Sequence, residues 1–201
     1  MSTENATTGT DDELDRRNQI LAAANECFAQ LGHQRTSVQD VARVAGVSRG
    51  TVYRYFTDRD KLIDAAIEYG AQAFYSEVAE AMERESTLAE QLGALAETHA
   101  TILLSHRTRN RLMADDDAFM RQIIADSDSA IRRTTTFLEP YVKDAQRRGE
   151  VGAGVEVLAA SEWLARVIYS LTTVNEGICF DMEKPETVRR YVATFAVNGL
   201  R

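Results

Sequence analysis

Cysteine, proline and tryptophan are scarce in this 201-residue chain: two, two and one, with aromatic residues at only 7%. Each shortage excludes something. Cys27 and Cys179 stand too far apart to form a metal-binding motif, and both fall in apolar helical patterns. They are expected to be buried free thiols in a reducing cytoplasm. With so little proline, and with alanine, leucine, glutamate and arginine common, little breaks a helix, and the composition favours an all-α fold. No apolar run approaches the roughly 20 residues needed to span a bilayer. The opening MSTENATTGTDDELDRR has neither the basic nor the apolar region of a signal peptide, and residues 1–11 read as a disordered tail. Enzyme signatures are missing too. There is no Gly-x-Ser-x-Gly, no phosphate loop and no His-Glu-x-x-His, and GEVGAG lacks the spacing and preceding strand of a dinucleotide loop. Nothing pairs a nucleophile with a base, so neither a catalytic residue nor a cofactor is expected.

What is present is charge, unevenly spread. The whole chain carries −8. Between Arg16 and Lys61 there are eight basic residues against four acids, a net of +4. The remaining 15 basic and 27 acidic residues leave the rest at −12. A basic head on an acidic body implies that a polyanion meets the head alone. The densest stretch is VARVAGVSRGTVYRYF, residues 41–56, with three arginines, two tyrosines and no acid.

Apolar spacing at Leu14, Ile20, Leu21, Ala24, Phe28 and Leu31 predicts a first helix that Gly32 ends. Ser37 is placed to cap a second helix, with Asp40 in its first turn and Val38, Val41 and Ala42 facing inward. Gly46 breaks that helix, and Ser48 caps a third that reaches about Phe56. Two helices of about two turns joined by a Gly-containing turn make a helix-turn-helix. In the third helix Val52 and Phe56 are spaced i, i+4 and should face the core. Arg49, Thr51, Tyr53, Arg54 and Tyr55 are left at or near the outer face. An α-helix fits the major groove of B-DNA, where arginine can bond guanine and the threonine methyl can touch thymine, while Gly50 lets the backbone come close. A fourth, long helix starts at Thr57 or Asp58. Beyond it the pattern stays helical: about 87–105, a helix from Asp116 or Asp117, 129–148 with a kink expected at Pro140, 155–177, and a last helix from Pro185.

At these residues the first 62 or so positions resemble the DNA-binding head of the TetR (tetracycline repressor) family of transcriptional regulators. The resemblance runs through Ala23 or Ala24, Phe28, Gly32, Thr36, Val41, Ala42, Ala45, Gly46, Val47, Ser48, Gly50, Thr51, Tyr53, Tyr55, Phe56 and Leu62. Val41 replaces the usual isoleucine and Arg59 the usual lysine. The resemblance implies a three-helix head over residues 12–60, joined by a long helix to a helical effector-binding and dimerisation domain over 61–201. It implies that Ser48 to Phe56 enter the groove, with Arg49, Gly50, Thr51, Tyr53 and Arg54 at base edges. Ser37, Gln39, Tyr55 and Arg59 would meet phosphates.

For the body, helix 155–177 is apolar on two sides, and with helix 186–199 it is the expected homodimer surface. Two heads would then read a palindromic operator on double-stranded DNA. Family members commonly hold a small molecule among the central helices. The expected lining here is Phe74, Leu103, Met113, Phe119, Met120, Phe137, Tyr141, Trp163, Arg166 and Tyr169. Arg166 is expected on a largely buried helix, paired with Glu162 or another acid. His99 and His106, seven apart with no third ligand, do not make a metal site, and the Asp115–Asp117 run reads as a solvated helix start. The chain is thus expected to be a ligand-responsive, dimeric, cytoplasmic repressor. The alternative is a helical interaction module whose basic head docks an acidic protein.

Overall fold

The structure is a computed structural model that describes residues 7–32, 35–110, 127–174 and 177–200. Among the described residues every regular element is a helix, with no strand. The order is α1 (Thr7–Leu31), α2 (Val38–Val44), α3 (Arg49–Tyr55), α4 (Arg59–Met82), α5 (Leu88–Asn110), α6 (Ser127–Arg147), α7 (Val157–Thr173) and α8 (Pro185–Phe195), then a short 3₁₀ turn, Asn198–Leu200. The chain divides into two compact units, Met1–Phe74 and Tyr75–Arg201. The division falls within α4.

In the first unit α1–α3 and the start of α4 close one core. Ile20, Leu21, Ala24 and Phe28 of α1 pack with Val38, Val41 and Ala42 of α2, with Ala45, Val52 and Phe56, and with Leu62 and Ala66 of α4. Gly32 and Gly46 both adopt positive φ, 76° and 65°, which ends α1 and turns the chain between α2 and α3 at a conformation costly to other residues. Asn25 reaches across to donate a 2.9 Å hydrogen bond to the Ala66 carbonyl. The backbone of α1 is helical from Thr7, so part of the expected tail is helix. Elongating an existing helix adds one hydrogen bond per residue fixed.

The second unit is built from two intimate helix pairs, α5 with α8 and α6 with α7. The first pair meets at Gly93. A Cβ there would stand 3.1 Å from Ala193 Cβ, Arg189 Cγ and the Arg189 carbonyl. Arg189 then spans the seam, bonding Glu97 at 2.9 Å and Glu85 at 2.8 Å. Thr87 and Glu90 form a reciprocal cap at the start of α5. The Leu88 N–H donates to Glu150 from the distant loop after α6. Gln146 holds that loop by donating to the Gly152 and Val155 carbonyls, each at 2.9 Å.

Several expected boundaries shift. α6 runs unbroken through Pro140. Pro140 and Thr136, whose carbonyl loses its partner, are both exposed, so water can serve that carbonyl. α7 ends at Thr173, not at 177, because Thr172, Thr173 and Val174 are a β-branched run of low helix propensity. Cys179, beyond the helix with either end, is exposed, contrary to expectation, while Cys27 is buried as expected. The last α-helix stops at Phe195. The helix expected from Asp116 or Asp117 lies outside the described residues.

Two predictions follow from this packing. Gly93→Val should force α5 and α8 apart and cost about 1–3 kcal/mol, read as a lower thermal midpoint. His99 is buried, its Nε2 lies 2.9 Å from Thr172 Oγ1, and burial lowers its pKa from 6.5 to about 4. The unfolded chain therefore binds the proton first, so stability is full above pH 6.5 and is lost as pH falls toward 4. That loss, about 3 kcal/mol at its limit, should vanish from the pH dependence of the midpoint in His99→Gln.

Candidate nucleic-acid interface

A seven-residue helix is too short to persist on its own, so α3 depends on its cap and its anchors. The Ser48 hydroxyl accepts from the Thr51 N–H at 3.0 Å and lies 2.9 Å from the Thr51 hydroxyl. Val52 and Phe56 are 1% and 5% exposed, as expected from their spacing. Their burial turns the opposite side outward. Arg49, Gly50, Tyr53 and Arg54 are exposed, and Thr51 and Tyr55 are half-buried.

The Arg49 side chain makes no ion pair or hydrogen bond among the described residues. Gly50 has negative φ and open space where a side chain would stand, its nearest neighbour being Ser48 Oγ at 3.6 Å. Glycine in a helix interior costs about 1 kcal/mol relative to alanine. No internal packing requires it here, so the bare backbone is available to something outside the chain. Arg54 is less free. Its guanidinium lies 5.1 Å from the Tyr55 ring centroid and its Nη2 donates to the Tyr55 hydroxyl at 3.4 Å.

The residues expected at phosphates divide. Gln39 is exposed on α2. Ser37 is exposed but engaged: its hydroxyl donates to Asp40 at 2.5 Å and accepts from the Asp40 N–H at 3.2 Å, a reciprocal cap. The Ser37 hydroxyl and N–H hold the Asp40 carboxyl below its usual range, with Arg43 adding to the effect. An ionised acid therefore already occupies the N-terminal end of α2. Arg59 is likewise engaged. Its Nε donates to the Thr36 carbonyl at 2.9 Å, and Nη1 stands 3.7 Å from Asp60. It ties the start of α4 to the segment before α2.

The expected effector lining lies only partly within the described residues. Met113, Phe119 and Met120 lie outside the described residues, as do Asp115–Asp117 and the side chain of His106. Phe74 is half-buried at the end of the first unit. In the second unit Leu103 and Tyr169 are half-buried. Phe137 stacks between Tyr75 at 4.8 Å and Tyr141 at 5.3 Å, and the Tyr75 hydroxyl reaches the Thr134 hydroxyl at 2.8 Å. Trp163 and Arg166 correct the expectation. Trp163 is 43% exposed. Arg166 is exposed and bonds Glu162 one turn away, which is the expected partner in an unexpected setting. The row Val155, Ala159, Trp163, Val167, Leu171 has a period of four. At 3.6 residues per turn it drifts about 40° per step, so Leu171 is buried while Ala159 and Trp163 face out.

Two contributors to the head escape a motif reading. Gln19 of α1 donates to the Ala45 carbonyl at 2.9 Å, bracing the end of α2. Arg17 of α1 lies 5.5 Å over the Phe56 ring, at the end of α3. The only prior signal was their place in the basic segment.

Residues 20–66 match the model of the bacterial regulatory proteins, tetR family. Among characterised relatives, the chain is 28% identical over 145 residues to the HTH-type transcriptional regulator HbdR of Aromatoleum sp. (strain CIB), covering 67% of this chain but only 60% of HbdR. It is 26% identical over 188 residues to the HTH-type transcriptional regulator UidR of Escherichia coli (strain K12), covering 92% and 89%. Among solved structures, FadR from Bacillus subtilis in complex with stearoyl-CoA shares the fold. The TM-score is 0.62 at 18% identity, over 91% of this chain and 98% of that one.

The reciprocal cap supplies a direct check on the local geometry. Ser37→Ala should lower stability by about 1 kcal/mol, measured as a drop in thermal midpoint, whereas Gln39→Ala should leave the midpoint unchanged.

Proposed function

The chain belongs to the TetR family of bacterial transcriptional regulators, and from that premise we propose that it acts as a homodimeric repressor, released from a palindromic operator by a small molecule. It is a DNA-binding regulator, and the family binds DNA without catalysing a reaction. The observation that carries the reading is α3: an anchored helix whose outward side bears an unpaired Arg49, a bare Gly50 and an exposed Tyr53. Arg49 reads a guanine edge, and the open backbone at Gly50 admits close approach. Thr51 and Arg54 contribute contacts at base edges, while Gln39 and Tyr55 meet phosphates. Ser37 and Arg59 serve chiefly to fix α2 and α4, given the partners they already hold.

One short helix reads too few base pairs, and a two-fold dimer presents two, about 34–36 Å apart. The second unit supports dimerisation. Leu158, Trp163 and Val174 in and after α7, and Tyr191 and Phe195 of α8, are large apolar side chains left exposed. Such exposure marks an interaction surface. Trp163 and Arg166 belong to this surface in place of the effector site. The aromatic cluster of Tyr75, Phe137 and Tyr141 supports an apolar or aromatic small molecule as the effector, and its binding shifts the head population away from DNA. No described helix is long and apolar enough to cross a membrane. We place the protein in the cytoplasm, where the DNA is.

Selection of a duplex from a random pool, followed by Arg49→Ala, tests the head. The variant should lose about 1–3 kcal/mol on the selected duplex and relax its preference at one base pair. Unchanged affinity and preference would remove Arg49 from the interface. For the body, sedimentation should give a dimer that Trp163→Asp converts to monomer with its helix content intact. A Trp163→Asp protein that stays dimeric would place the interface elsewhere.

A further inference from the structure

The phosphate clamp expected at the start of α4 is already in use. Arg59 donates Nε to the Thr36 carbonyl and holds Nη1 near Asp60. A different cation stands where a clamp would be needed. Phe56 closes α3 as its C-cap in extended backbone, with its side chain in the core. Arg17 of α1 holds its guanidinium 5.5 Å over the Phe56 ring. Its exposed guanidinium therefore stands beside the C-terminal end of α3.

Three further features favour a role outside the chain. Arg17 is exposed and makes no ion pair among the described residues. Its ring partner restrains the guanidinium, so little side-chain freedom remains to be lost on contact. The same stretch of α1 is braced against the head, since Gln19 donates to the Ala45 carbonyl and Arg16 donates to Gln19 at 3.1 Å.

We propose that Arg17 is the backbone clamp of the DNA interface, gripping a phosphate beside the end of α3, and that Arg59 is a positioning residue that holds α4 to the segment before α2. This rests on the DNA-binding reading above. Arg17 carries no base preference, since a phosphate contact fixes register without reading sequence. It adds one cation per protomer to the counterions released on binding.

The test is equilibrium binding of a labelled duplex of mixed sequence, a few helical turns long, across a salt series. Wild type, Arg17→Gln, Arg17→Lys and Arg59→Gln are compared, with thermal midpoints in parallel. Arg17→Gln should weaken binding by the same factor on every duplex. It should also reduce the slope of log K against log salt by about one per bound protomer. Arg17→Lys keeps the charge and should keep the slope. Arg59→Gln should lower the midpoint and leave the slope near wild type. The proposal is overturned if Arg17→Gln retains the wild-type slope, if Arg17→Lys loses as much slope as Arg17→Gln, or if the slope loss appears in Arg59→Gln instead. A wild-type protein that ignores salt and duplex alike would sink the DNA-binding reading itself, a separate outcome from these.

Discussion

Everything the head can do depends on the burial of Val52 and Phe56. α3 has seven residues, below the length at which a helix holds itself together in water. Two apolar side chains one turn apart press it onto α1 and α2, and the Ser48 cap closes its first turn. Once those anchors are set, the helix has no rotational freedom. Arg49, Gly50 and Tyr53 are outward because Val52 and Phe56 are inward. The positive φ at Gly46 sets the angle of entry, and Gln19 and Asn25 of α1 pin the neighbouring turns from behind.

Charge in the head is largely spent on the chain's own geometry. Asp40 closes the α2 cap and attracts Arg43 at 3.7 Å, Arg54 lies on Tyr55, and Arg59 spans from α4 to the Thr36 carbonyl. A count of basic residues therefore overstates how many remain for a polyanion. The exposed cations without such a commitment are fewer, and their positions, at the first residue of α3 and beside its end, are informative where the count is not. In the second unit the same economy is visible in reverse. Arg189 is held by Glu85 and Glu97 over the Gly93 crossing, so its charge serves the seam between α5 and α8.

The head was legible because its signals are local. Ser37 with Asp40, Gly46, Ser48, and the i, i+4 pair Val52 and Phe56 each act within a few residues, and each occupies its expected place. The body was harder because its decisive facts are relational. Whether Trp163 points in or out depends on a drift of about 40° per step along α7 that a period-four reading hides. Cys179 lies exposed in the segment between α7 and α8, and Pro140 is tolerated because its side of α6 faces water. The stacking of Tyr75 on Phe137 joins residues 62 positions apart, and no local spacing announces it. Arg17 belongs with these. Its place over Phe56 arises from how α1 crosses the end of α3.

The most direct measurement is methylation protection at guanine N7, an atom exposed only in the major groove, on a duplex selected by the protein. If α3 sits in successive major grooves, protected guanines appear in two clusters separated by about one helical turn, roughly 10 base pairs. Guanine N7 atoms that remain fully reactive in the bound complex would contradict a major-groove seat for α3.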